Sequence, residues 1–112
     1  TMSIKIVVSP RVKFKVRGTV KDEAGADQPF DFSLTCRRLD TDAMQTKLRE
    51  RGDASITEFM LEVIEDWAGV KDAEDKPLPW SEDAWHGLCR IPGVAMLAYR
   101  TYLTEAGAKE KN

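Results

Sequence analysis

The side chains able to do chemistry in this sequence are few and poorly grouped. Its one histidine, His86, stands between Trp85 and Gly87. General acid–base catalysis needs such a group beside a positioned partner, and a lone histidine on a short helix reads as a surface or half-buried residue. The carboxylate pairs Glu65–Asp66 and Asp72–Asp75 fall on a polar face and in a polar loop. Nothing there pushes two pKa values apart, as a carboxylate acid–base pair requires. Residues 72–76 (DAEDK) lack the glycine and the closing glutamate of a calcium loop. Cys36 and Cys89 have no metal-ligand spacing. Both occupy apolar positions and read as buried, reduced thiols. Phosphate-cradling glycine loops are absent. The sequence therefore predicts no enzyme, no metal and no cofactor. The row Lys13, Lys15 and Arg17 raises nucleic-acid binding, but Phe14 alternates with it and so belongs to the opposite, core-facing side. Charges on such a strand guard it against self-pairing.

The elements follow from hydrophobic period. Val12, Phe14 and Val16 alternate with Lys13, Lys15 and Arg17. Phe30, Phe32, Leu34 and Cys36 alternate with Asp31, Ser33, Thr35 and Arg37. Period two around a polar, Gly-containing turn predicts an antiparallel hairpin. Residues 4–8 (IKIVV) predict a further short strand, interrupted by Pro10. An isolated ribbon is marginal in water and needs cover on its apolar face. Asp40 is an N-cap for a helix reaching about Arg51, with Leu39 and Met44 as a hydrophobic staple. Ser55 and Glu58 form a capping box for the next helix. In that helix Ile56, Phe59, Met60, Val63, Ile64 and Trp67 make one continuous face, closed by Gly69. Ser81 caps a third helix, and Pro92 suits the first turn of a fourth. The expected architecture is α+β: an N-terminal antiparallel β-hairpin or small sheet, then about four helices packed on one face. Residues 1–106 form a single domain and 107–112 a frayed tail.

The 112 residues carry a formal net charge of -2, unlike a dedicated nucleic-acid binder, which is strongly basic. The charge is split: residues 1–38 hold eight basic and four acidic side chains, the remainder nine and fifteen. Opposite halves of this kind can attract between copies, which makes a homo-oligomer possible. The plainer reading is a solvated surface of uneven sign. No apolar run approaches the length of a membrane span. Residues 4–8 are too short for a signal-peptide core, which predicts a cytoplasmic protein.

The features that point to function are apolar. In the last helix Ala95, Ala98, Tyr99, Tyr102 and Ala106 form a stripe, with Val94 and Leu97 off it. One covering face cannot satisfy them all. Leu61 likewise points away from the stripe of its own helix. Leu61, Val94, Leu97, Tyr99 and Tyr102 are therefore the candidate partner-binding residues.

The middle of the chain also carries an ordered set of tokens. FSLTCRRLDTDAM spans residues 32–44. Further on come Trp67, Gly69 and Val70, an acidic loop, Pro77-Leu78-Pro79-Trp80-Ser81, Ile91-Pro92-Gly93 and Tyr102. In order and spacing this resembles the tail assembly chaperones of long-tailed bacteriophages, over roughly residues 30–106. The resemblance implies a non-catalytic protein that coats and solubilises the tape-measure protein while the tail tube is built. It implies the host bacterial cytoplasm as the place of action and absence from the mature virion. It also implies contact with tail-tube protein through a longer, frameshifted form. The competing expectations are a structural tail component (a terminator or connector subunit) and a small nucleic-acid-binding regulator.

Overall fold

The computed structural model describes residues 3–50 and 55–110. The predicted hairpin is present as β1 (Arg11–Lys21) and β2 (Asp27–Arg37), paired antiparallel from Arg11↔Arg37 to Lys21↔Asp27. Alternation does the sorting. Phe14, Val16, Phe32, Leu34 and Cys36 are buried, while Lys13, Lys15, Arg17 and Arg37 are exposed on the other face. The turn between the strands is organised by Asp22. Its carboxylate accepts from the N–H groups of Ala24 and Ala26, at 2.9 and 3.0 Å, and Gly25 takes φ +82°. Only a residue without a Cβ adopts that conformation at no steric cost.

Helices α1 (Thr41–Glu50) and α2 (Ile56–Val63) follow, then a third strand, β3 (Ile64–Ala68). The sheet order is β1-β2-β3, with β3 antiparallel to β2. The fold class is α+β, as expected, but the continuous helix predicted through Trp67 is a correction: it ends at Val63. The cause is a β-bulge. Leu34 pairs with Trp67 and Thr35 with Asp66, yet Cys36 pairs with Ile64, leaving Glu65 as the extra residue. The bulge turns both Ile64 and Trp67 inward at a spacing of three, which imitates the i, i+3 step of a helix. Gly69, at φ +87°, ends this strand rather than a helix.

The short strand predicted over residues 4–8 is a second correction. That segment pairs with nothing among the described residues, and Ile4, Ile6, Val7 and Val8 are strongly exposed. The ladder begins only past Pro10, whose carbonyl accepts from Arg38 N–H at 2.7 Å.

Each of the three expected N-cap side chains accepts the bond expected of it, although the return half of the Ser55–Glu58 capping box is not formed among the described residues, where Glu58 faces His86. Asp40 accepts from Ala43 N–H at 2.7 Å, Ser55 from Glu58 N–H at 3.2 Å and Ser81 from Ala84 N–H at 3.0 Å. The predicted end of the first helix, at about Arg51, lies outside the described residues. Ser81 opens α3 (Glu82–Leu88). The last helix, α4 (Val94–Ala106), starts beyond Pro92, because Gly93 at φ +91° first reverses the chain.

The core lies between the sheet and α2, α3 and α4, and α4 is wedged in it. Val94, Ala98, Tyr102 and Ala106 form its buried row, one every four residues. The Tyr102 hydroxyl donates to the Arg37 carbonyl at 2.8 Å, tying the helix to the end of β2. Arg38 adds two further ties, donating to the carbonyls of Ser9 and Ala106. On the far side the three tryptophans form one cluster: Trp80 lies 5.1 Å from Trp67 and 6.1 Å from Trp85, between ring centroids. Each of the two more buried indoles has a partner for its N–H, Leu78 O for Trp67 and Thr57 O for Trp85.

Candidate interaction surface

The five residues expected to meet a partner fall into two groups. Val94 and Tyr102 are core: both are buried, and Tyr102 packs on Phe14 and Phe59. Tyr102, with no exposed area, is out of a partner's reach while the helix is folded, and placing it on an outer surface is corrected. Val94 is 4% exposed and meets solvent only as part of the lining of two hollows at the turn end of the hairpin. Leu61, Leu97 and Tyr99 are half-buried against the core. The premise that one covering face could not satisfy α4 is correct, but the remedy is internal. Leu97 is covered from the β1 side, at Gly18, and Tyr99 from α2, edge-on to Phe59 at 5.4 Å. Leu97 can reach the strand only because Gly18 has no side chain. A Cβ there would come within 2.7 Å of the Phe30 ring and 2.8 Å of a Leu97 methyl.

The exposed apolar surface lies elsewhere, and helical periodicity could not have found it. One part is the hollow between α1 and α4, about 340 Å³, edged by Leu39, Met44, Leu103 and Ala106. Helix α1 buries no residue at all, and its Leu48 is exposed, as is Leu103 of α4. A staple pair, Leu39 and Met44, and an ion pair from Lys47 to Glu62 hold it to the body.

A second part is a groove at the turn end of the hairpin. Two adjoining hollows, of about 220 and 330 Å³, share Val20, Phe30, Ile91 and Val94 as lining. The groove exists because β3 is short: it pairs with β2 only from Ser33 to Cys36, and past Gly69, which lies against Phe32 and Asp31, the flank of residues 27–30 is open. Ladder parity decides what that flank offers. Pro10↔Arg38 and Asp22↔Ala26 are hydrogen-bonded positions, so Pro29 turns its nitrogen away from β1 and toward the open flank. Proline has no N–H to offer there, which blunts the edge.

The chemically active groups are held in unreactive settings. Burial pushes the Cys36 thiol up to about 12, with the nearby Glu65 carboxylate adding to it, and burial pushes Cys89 up to about 11. Neither is the thiolate that nucleophilic or redox chemistry requires. His86 faces Glu58 at 3.6 Å, both about half exposed, an arrangement worth little to stability. Among the described residues no group of three or more His, Cys, Asp or Glu side chains is placed to hold a metal ion. Nor, among them, is any helix long and apolar enough to cross a membrane. Lys13, Lys15 and Arg17 form an exposed row with no ion pair among the described residues. Comparison of the chain with protein-family models, with curated proteins and with solved structures gives no match.

Proposed function

We propose that this protein is a phage tail assembly chaperone that shields apolar helical surface of a tape-measure protein, without catalysing a reaction. The observation that carries the reading is α1. An amphipathic helix with no buried residue sits beside an apolar hollow and exposed Leu48 and Leu103. Contiguous apolar surface of this kind marks a place for a partner. A groove between two helices is the geometry that receives a third amphipathic helix. A long tape-measure helix would offer many such faces. Weak contacts repeated along it gain by avidity. The token order across residues 30–106 supports the same reading.

Co-expression with a tape-measure protein tests it. The expected result is a soluble tape measure that co-purifies with this protein, and loss of both effects with Leu103→Asp. A tape measure that stays insoluble and unbound would refute the reading. Mass spectrometry of purified particles separates a chaperone, which leaves the virion, from a structural tail component, which stays. The exposed cationic row on β1 favours a second reading, a nucleic-acid-binding regulator. Its signature would be affinity falling steeply with salt.

A further inference from the structure

The most exposed apolar segment of the molecule is residues 4–8. Ile6 is fully exposed and Ile4 is 85% exposed. The segment alternates like a strand: Ile4, Ile6 and Val8 share one side, Lys5 and Val7 the other. At the opposite end of the hairpin is the open groove lined by Val20, Phe30, Ile91 and Val94. We propose that this arm of one copy docks in the groove of a second copy, head to tail.

Reach decides that the contact is between molecules. The arm is anchored at Pro10, hydrogen-bonded beside Arg38. The groove begins at Val20, ten residues along a regular strand, roughly 33 Å away. From Pro10 back to Ile4 is six residues, which span at most about 20 Å even when fully extended. The arm therefore falls more than about 10 Å short of its own groove.

Shape decides the mode. An arm lying along the flank of residues 27–30 lies beyond Gly69, Val70 and Lys71, which follow β3 past Phe32 and Asp31. With Ile4, Ile6 and Val8 turned to the core side, they enter the hollow lined by Val20, Phe30, Ile91 and Val94. Lys5 then falls on the opposite face of the sheet, where it stays in solvent. Asp31 already stands opposite Arg17, and Lys71 and Arg100 also line the hollows, so apolar contact alone carries the docking. Pro29 withholds one of the N–H groups on this flank, which limits backbone pairing by the arm. The interface is heterologous: every docked copy still presents a free arm at one end and a free groove at the other. This inference does not rest on the tape-measure reading, and failure of that reading would leave it standing.

Sedimentation velocity from about 20 µM to 1 mM tests it, a range suited to a small interface. Two variants are needed, both altered only at exposed residues: Ile6→Asp, which spoils the arm, and Val20→Asp with Ile91→Asp, which spoils the groove. Unchanged far-ultraviolet circular dichroism establishes that each is folded. The wild-type protein is expected to grow past dimer mass with concentration. Each variant alone is expected to remain at the 12.6 kDa monomer mass. An equimolar mixture of the two pairs one intact arm with one intact groove, so it should give a species of twice that mass and nothing larger. Wild-type protein that stays monomeric throughout, a mixture that does not pair, or variants that assemble as the wild type does would each overturn the proposal.

Discussion

Two aspartates, Asp22 and Asp72, build the same turn at two separate places. In each, the carbonyl accepts from the N–H three residues on, at 3.0 Å, and the carboxylate accepts from the N–H groups two and four residues on. The first turn places glycine, Gly25, at the left-handed position. The second places Asp75 there, at φ 65°. A Cβ in that region is strained for most residues, and less so for aspartate. The Lys71–Asp75 ion pair beside it spans 3.5 Å between well-exposed groups and adds little. Asp75→Gly is therefore expected to stabilise the fold by about 0.5 kcal/mol. Asp75→Val, with a branched Cβ at positive φ, should cost more than about 1 kcal/mol. Urea unfolding followed by fluorescence of the tryptophan cluster measures both. A loss on Asp75→Gly would show that the aspartate carboxylate, and not its backbone strain, dominates there.

At the scale of elements, β3 is where sequence and structure part. The strand is a regular antiparallel one with one residue too many. Deleting Glu65 would restore an unbroken register in which Ile64 faces Cys36, Asp66 faces Thr35 and Trp67 faces Leu34. The deletion is expected to keep the fold. It should cost about 1 kcal/mol or less, mainly the exposed pair between Glu65 and Arg11 at 3.0 Å. Near-ultraviolet circular dichroism of the three tryptophans checks it, since a Trp67 turned to solvent would lose that signal.

The hairpin, the three side-chain caps and the buried face of α2 through Val63 were legible because a local rule fixes each of them, whereas Val94, read as off the stripe of α4, begins its buried row. The bulge was not legible, because its effect on inward spacing equals that of a helix. Nor was the turn at Asp72, which lacks the glycine that marks its twin. The two half-buried flanks of α4 were visible as apolar excess, but not their cover, because β1 and α2 meet the helix only in the folded chain. Gly18 is the residue that permits this meeting. Gly18→Val should force the Phe30 ring and Leu97 apart and cost about 1–3 kcal/mol, read as a lowered urea midpoint. No loss would mean that the helix shifts freely away from β1.

At the scale of the whole molecule, burial holds three ionisable groups in their protonated forms: Cys36 and Tyr102 in the core, and Cys89, expected to be buried but in fact half-buried, at its edge. Burial raises each above its ordinary value, Cys36 and Cys89 to about 12 and about 11, and Tyr102 upward from 10.0. The unfolded chain gives up these protons first. The stability they contribute is therefore complete below about pH 9 and is lost as pH climbs toward the folded values. Asp22 works in the other direction. Backbone donors from Ala26, helped by Gln28, hold its carboxylate below 3.8, so its contribution is present above that value and fades in acid. The urea midpoint should thus be level from about pH 5 to 9 and fall above it, with Cys36 responsible for on the order of 1 kcal/mol per pH unit. Cys36→Ala lowers stability at neutral pH by removing buried sulfur, yet it should flatten the alkaline limb. An alkaline slope equal in the two proteins would assign the loss to Cys89 and Tyr102 instead.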